Sequence, residues 1–171
     1  MIAAAVILRR APLPVRIDDS KRLTPAQRLS AYRVILRSAE IGVGIVPSDL
    51  IDLHNIRQAT LQAMRRAVER LATAPDLVLV DGNDPPALPM ACRAIVRGDQ
   101  HSYAIACASI VAKVTRDALM TFYDRLFPGY AFHRHKGYGT SAHLAALERL
   151  GPSLMHRESF GPVAAELVEA R

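Results

Sequence analysis

Two short aliphatic runs in this chain each lead to an aspartate. Leu77-Val-Leu-Val80 runs into Asp81, and Ala94-Ile-Val96 reaches Asp99 through Arg97-Gly98. Such runs read as strands, the first of them buried on both faces. The segment between them, Gly82 to Cys92, decides how they pair. A hairpin at Asp81-Gly82 would make them antiparallel. Asp99 would then return to the far end of its neighbour, about 17 Å away for a five-residue strand at 3.4 Å per residue. A crossover would make them parallel and place both aspartates at one edge of the sheet, and the segment is just long enough for one. Spacing alone leaves both arrangements open. Sheet ends are where α/β proteins place their sites. Two carboxylates gathered at one end repel unless a cation lies between them, so the parallel case invites Mg²⁺ or Mn²⁺.

The rest of the chain continues the alternation of strand and helix. Ala3 to Leu8 reads as a buried strand, broken by Pro12 and Pro14. Thr24-Pro25 opens a helix with Leu29, Tyr32 and Leu36 on one face. Ile41 to Val46 reads as a second strand, closed by Pro47, and Ser48 starts a short turn of helix. An amphipathic helix follows from about Asn55 to Thr73. Leu61, Met64, Val68 and Leu71 form its stripe, and Arg57, Arg65, Arg66 and Arg70 lie off it. Further helices are expected over about Ser102–Leu126, near Ser141–Leu150 and from about Pro162. The fold class is therefore α/β with a mixed sheet. With 171 residues and no evident linker, the chain reads as one domain, 1–171, with the helices from about 141 onward packed as part of it.

Half of the residues are hydrophobic and 22% are charged, which argues against wholesale disorder. The net charge of +6 suits a polyanionic partner without specifying one. Cys92 and Cys107 make no disulfide framework or zinc pattern and read as buried free thiols in a reducing, cytoplasmic setting. Met1–Leu8 lacks the features of a secretory signal. Tyr103–Ala112 is too short to span a bilayer, which needs about 20 residues.

Three further segments carry chemistry in either of two ways. Phe132-His-Arg-His-Lys-Gly-Tyr138 combines cations that match phosphates with an aromatic face that can stack, or is a solvated loop. Asp19-Ser20-Lys21 is a phosphate clamp or the lead-in to a helix. Lys113 faces a ligand or simply pairs with Asp117 one turn on. His101, His143 and His156 have no metal-like spacing and read as surface or internally satisfied side chains.

Taken together, the strings resemble ribonuclease HII, the bacterial type 2 ribonuclease H. The matching pieces are Ala-Ala-Val-Ile-Leu8, Asp19-Ser-Lys-Arg-Leu23, Ile51-Asp-Leu-His-Asn-Ile56, Val80-Asp-Gly-Asn83, Val96-Arg-Gly-Asp99, Ala108 to Asp117, His135-Lys-Gly-Tyr138 and Ser159-Phe-Gly-Pro162. They run in the family's order over nearly the whole chain. The resemblance implies a ribonuclease H-like mixed sheet flanked by helices. It implies hydrolysis of the RNA strand of RNA–DNA hybrids, and incision of duplex DNA at embedded ribonucleotides, with Mn²⁺ or Mg²⁺. Asp81 and Asp99 map onto two of the family's four metal-holding, catalytic carboxylates, within about 8 Å of each other if they share a metal or a metal pair. Tyr138 would pack on a sugar. Ser20, Lys21, Lys136 and Lys113 would contribute to the substrate surface, with the arginine-rich helix adding salt-dependent affinity. A monomer that does not associate with membranes is expected.

One departure accompanies these matches. The family's first, central strand carries Asp-Glu-x-Gly-Arg-Gly, and this sequence starts after it. The sequence is thus expected either to start too late or to be truncated at its N-terminus. It would lack the strand between those of Val6 and Val78, together with the other two carboxylates. Very poor cleavage, or none, follows, unless Asp19 or Asp117 completes the site. A catalytically dead hybrid-binding remnant and an unstable fragment are the alternatives.

Overall fold

A computed structural model describes residues 1–169. The last two residues of the expected C-terminal helical region, 170 and 171, lie outside the described residues. Strand β1 (Ile2–Leu8) leads through a loop to helix α1 (Pro25–Ser38), which returns the chain to β2 (Ala39–Ile45). β1 and β2 pair antiparallel, from Ile2 opposite Ile45 to Leu8 opposite Ala39. Thr24 starts α1 with a reciprocal cap: its hydroxyl accepts from Gln27 N at 3.3 Å, while Gln27 Oε1 accepts from Thr24 N at 3.0 Å. The buried face of α1 is Ala31 and Ile35, packed on Cys107, Ile110 and Val111. Of the expected face, Leu29 and Leu36 point outward and Tyr32 packs at the edge of this cluster. The small Ala31 side chain, fully covered, marks the line along which the helix seats.

Helix α2 (Ser48–Glu69) is kinked at Asn55, where φ is 67°. Asn55 Oδ1 accepts from Arg57 N at 3.0 Å and from Gln58 N at 3.1 Å. The side chain therefore caps a new helical segment, so the short turn and long helix expected from the sequence join at this residue. The surface of α2 that meets β2 is Ala59, Ala63 and Ala67, with the expected Leu61 and Met64 only half-buried. Glycines explain this choice. A Cβ on Gly42 would lie 1.9 Å from the Ala67 carbonyl oxygen, and one on Gly44 would lie 1.9 Å from that of Ala63. Helix and strand pack backbone to backbone here, which only small residues permit.

Strands β3 (Leu77–Asp81) and β4 (Ala91–Ile95) pair parallel, from Leu77 opposite Ala91 to Asp81 opposite Ile95. The hairpin alternative is excluded. A short helix α3 (Gly98–His101) follows, then the long α4 (Tyr103–Leu126), capped by Ser102. Last come α5 (Phe132–His135), α6 (Ser141–Leu150) and α7 (Gly161–Glu169). The expected loop around His133 thus begins with a helical turn. Phe132, Leu147 and Val163 form a second core against Met120, Tyr123 and Phe127.

The strands form two separate ladders, β1–β2 and β3–β4. Between β1 and β3 lies an apolar slot of about 330 Å³, lined by Ile2–Ile7 and Leu77–Asp81 and floored by Ile105, Ala108 and Ala112. This is the place where the resemblance sets an additional strand. The slot also explains why β3 is not buried on both faces: Leu77 and Leu79 are exposed, and Val80 alone is deeply covered. Both cysteines are free thiols. Cys107 is fully buried, which pushes its thiol up to about 12, and Cys92 is half-buried.

Candidate active site

The parallel pairing brings the ends of β3 and β4 to one edge. Asp81 is the last residue of β3, and Asp99 lies in the first turn of α3, just past β4. Gly98 ties the two together: its N–H donates to Asp81 Oδ1 at 2.8 Å. A Cβ at Gly98 would lie 2.6 Å from the Ile105 side-chain end and 3.4 Å from the Asp81 carboxylate, so a larger residue would push Ile105 aside.

Asp99 is the electrostatically uncomfortable member. Burial holds its carboxyl above the usual carboxylate range, and the charges of Asp81 and then Asp19 push it further, with Lys21 opposing. Asp19 is itself buried. Its Oδ1 accepts from Lys21 N at 2.9 Å and its Oδ2 from Gln100 Nε2 at 3.4 Å. From sequence, Asp19 was only a reserve carboxylate; the signal is an acid inside a loop that packs on α4. Among the described residues, no group of three or more His, Cys, Asp or Glu side chains is arranged to hold a metal ion. The carboxylates that the strand ends and the 19–21 loop bring together are Asp81 and Asp99, with Asp19 behind. Mutually repelling carboxylates at an open sheet edge suit one hard divalent cation that takes its other ligands from water or phosphate.

The remaining expected residues are strung along α4. Ser20 is buried, and its hydroxyl meets that of Ser109 at 3.0 Å, so it faces α4 and leaves the exposed Lys21 beside the carboxylates. Lys113 makes the expected pair with Asp117 at 2.8 Å. Its ammonium also lies 5.6 Å from the centre of the Tyr138 ring, with the Arg116 guanidinium at 4.8 Å. Tyr138 is 57% exposed. Lys136 adopts a left-handed backbone and donates from Nζ to Thr121 Oγ1 at 2.8 Å. From Ile105 to Thr121 is sixteen residues, or about 24 Å at 1.5 Å per residue. One helix thus lines up the carboxylates, Lys21, Lys113, Tyr138 and Lys136.

The arginine-rich helix is different. Arg57 pairs with Asp84 at 2.9 Å and Arg65 with Glu69 at 2.7 Å. Arg66 donates to the Ile45 carbonyl at 2.7 Å, and Arg70 donates to that of Val43. These last two cover carbonyls on the outer edge of β2, a structural task for an edge strand. All four guanidinium groups have partners within the chain, Arg57 and Arg65 in exposed ion pairs.

His101 is exposed, while His143 and His156 are internally hydrogen bonded, as expected. Periodicity and spacing did not reveal that they meet each other and His135. Among the described residues, no helix is long and apolar enough to cross a membrane.

The model of the family described as Ribonuclease HII matches residues 1–163. The ribonuclease HII of Geobacter sulfurreducens is 52% identical over 172 residues, covering 100% of this chain and 79% of that protein. That of Xanthobacter autotrophicus is also 52% identical, covering 95% of this chain and 66% of the relative. Among solved structures, the ribonuclease H2 of Pyrococcus horikoshii OT3 superposes with a TM-score of 0.72 at 19% identity, covering 99% of this chain and 98% of that one. Bst ribonuclease HIII in complex with Mn²⁺ gives 0.63 at 14% identity, covering 90% and 58%. The structural likenesses show a ribonuclease H-like α/β fold. The family match and the sequence identities establish that the chain belongs to the ribonuclease HII family of nucleases.

Proposed function

We propose that this chain is an endoribonuclease domain that hydrolyses the RNA strand of RNA–DNA hybrids and incises duplex DNA at embedded ribonucleotides. Mn²⁺ or Mg²⁺ would be held by Asp81 and Asp99. The observation that carries this reading is the parallel β3–β4 pair, which sets both acids at one sheet edge. A bound divalent cation supplies Lewis-acid charge at the scissile phosphate and lowers the pKa of an attacking water.

The chain's own groups do the rest. Gly98 N–H engages one oxygen of Asp81, orienting the carboxylate. A cation at this edge would offset the repulsion that Asp81 exerts on Asp99. Ser20, through Ser109, sets the loop that offers Lys21 beside the acids. Lys113, Lys136 and Lys21 face substrate phosphates. Tyr138 rests against Lys113 and Arg116, leaving exposed ring surface for a sugar. Two carboxylates fix a cation loosely, so scission is slow. The domain works as a cytoplasmic monomer.

The test offers three labelled duplexes in Mn²⁺: an RNA–DNA hybrid, DNA with one embedded ribonucleotide, and all-DNA. Incision of the first two alone is expected. Cleavage of all three would overturn the substrate assignment. Binding of the hybrid without scission would favour a binding remnant, a reading consistent with the small carboxylate set.

A further inference from the structure

We infer that His156 is a positioning residue for Tyr138: it acts through His143, in a cluster of three histidines that hold the Lys136–Tyr138 loop. The inference rests on the proposed role of Tyr138 in holding substrate.

Hydrogen-bond donors fix every tautomer in the cluster. Ser153 N donates to His156 Nδ1 at 2.9 Å, so in the neutral ring the proton lies on Nε2. That Nε2 is 3.0 Å from His143 Nε2, which must therefore accept. The proton of His143 then lies on Nδ1, and it donates to the Tyr138 carbonyl at 2.9 Å. His135 works the other side of the loop. Gly137 N donates to His135 Nδ1 at 3.2 Å, so Nε2 carries the proton and donates to the Tyr130 carbonyl at 2.7 Å. The rings of His135 and His143 stack with centroids 4.2 Å apart. Gly137 and Tyr138 thus hang from two stacked imidazoles, and His156 donates to the Nε2 that the second leaves as an acceptor.

The surroundings of His143 and His156 favour their neutral forms. Phe132 lies against all three rings, Tyr130 against His156 and Phe160 against His143, while Arg157 sits over Phe160. Burial, and then the other histidines, lower His156 to about 4 and lower His143 as well. A purely packing role would not require an alternating sequence of donors and acceptors.

The experiment measures binding of a fluorescently labelled RNA–DNA hybrid to wild type, His156→Leu, His156→Gln, Tyr138→Ala and the double variant Tyr138→Ala with His156→Leu. Gln places an amide N–H near the Nε2 position and restores the donor to His143. We expect about five-fold weaker binding for His156→Leu, the worth of one ordinary hydrogen bond, and a change of less than about two-fold for His156→Gln. In the Tyr138→Ala background, His156→Leu should have no further effect. Weaker binding by Tyr138→Ala with unchanged binding by His156→Leu would overturn this inference alone. So would an equal loss from His156→Leu in both backgrounds. Wild-type affinity in Tyr138→Ala would instead overturn the reading of Tyr138 on which the inference stands. Should His156→Leu fail to fold, long-range ¹⁵N NMR on the wild type decides: a proton on His143 Nδ1 and on His156 Nε2 at pH 7 supports the inference, and any other pattern overturns it.

Discussion

Asp99→Asn should raise stability in chelator and remove the stabilisation that a divalent cation provides. The folded state holds the Asp99 carboxyl above its ordinary value of 3.8, first by burial and then by the charges of Asp81 and Asp19. An acid shifted upward contributes stability below its unfolded pKa and loses it as pH rises through the folded value, so at pH 7 the charged Asp99 opposes folding. Asn removes that charge at a half-buried position. Relief of such a repulsion amounts to a few tenths to about 1 kcal/mol, or up to about 4 °C in Tm for a chain of this size. In the wild type, a divalent cation at ten times its dissociation constant stabilises the fold by about 1.4 kcal/mol, which is about 3–6 °C. The assay is thermal unfolding at pH 7, with EDTA and then with increasing Mn²⁺. Wild type should climb with Mn²⁺, and Asp99→Asn should start higher and stay flat. An equal Mn²⁺ response in both proteins would refute the placing of the cation at Asp99.

Three further outcomes follow from particular contacts. Gly44→Ala should cost more than about 3 kcal/mol in urea unfolding, because its Cβ would lie 1.9 Å from a backbone oxygen of α2. Lys136→Ala should weaken hybrid binding and reduce the salt slope by about one, as loss of one phosphate contact does; an unchanged slope would remove this loop from the binding surface. As pH falls from 6.5 toward 4 the wild type should lose stability, since His156 is lowered from 6.5 to about 4 and the unfolded chain takes up the proton first. Chemical denaturation across that range should show a shallower decline for His156→Gln.

Much of the architecture is legible in local sequence. Thr24-Pro25 marks the start of α1, and Ser141–Leu150 is a helix with the bounds that Thr140 and Gly151-Pro152 suggest. The parallel pairing of β3 and β4 was open on spacing alone, because an eleven-residue link, Gly82–Cys92, permits either direction. What periodicity missed is tertiary. The deep face of α2 is an alanine stripe, invisible to a search for large apolar residues, and it exists because Gly42 and Gly44 sit opposite it. Arg66 and Arg70 read as surface charge until the outer edge of β2 supplies their carbonyl partners. Within the site, Asp81, Asp99, Lys21 and Tyr138 are legible as strings. Asp19 beside Asp99, and Lys113 and Arg116 against Tyr138, emerge only when the 19–21 and 136–138 loops close onto α4.

The central claim is that the carboxylates at the end of the parallel pair carry phosphodiester hydrolysis. Its most direct test is single-turnover scission of a labelled RNA–DNA hybrid by excess protein, with Mn²⁺ or EDTA, comparing wild type with Asp81→Asn. The account predicts slow scission of the RNA strand by the wild type, dependent on Mn²⁺ and absent in Asp81→Asn. Scission that persists in Asp81→Asn or in EDTA, or a hybrid that stays uncut by the wild type in Mn²⁺, would contradict it.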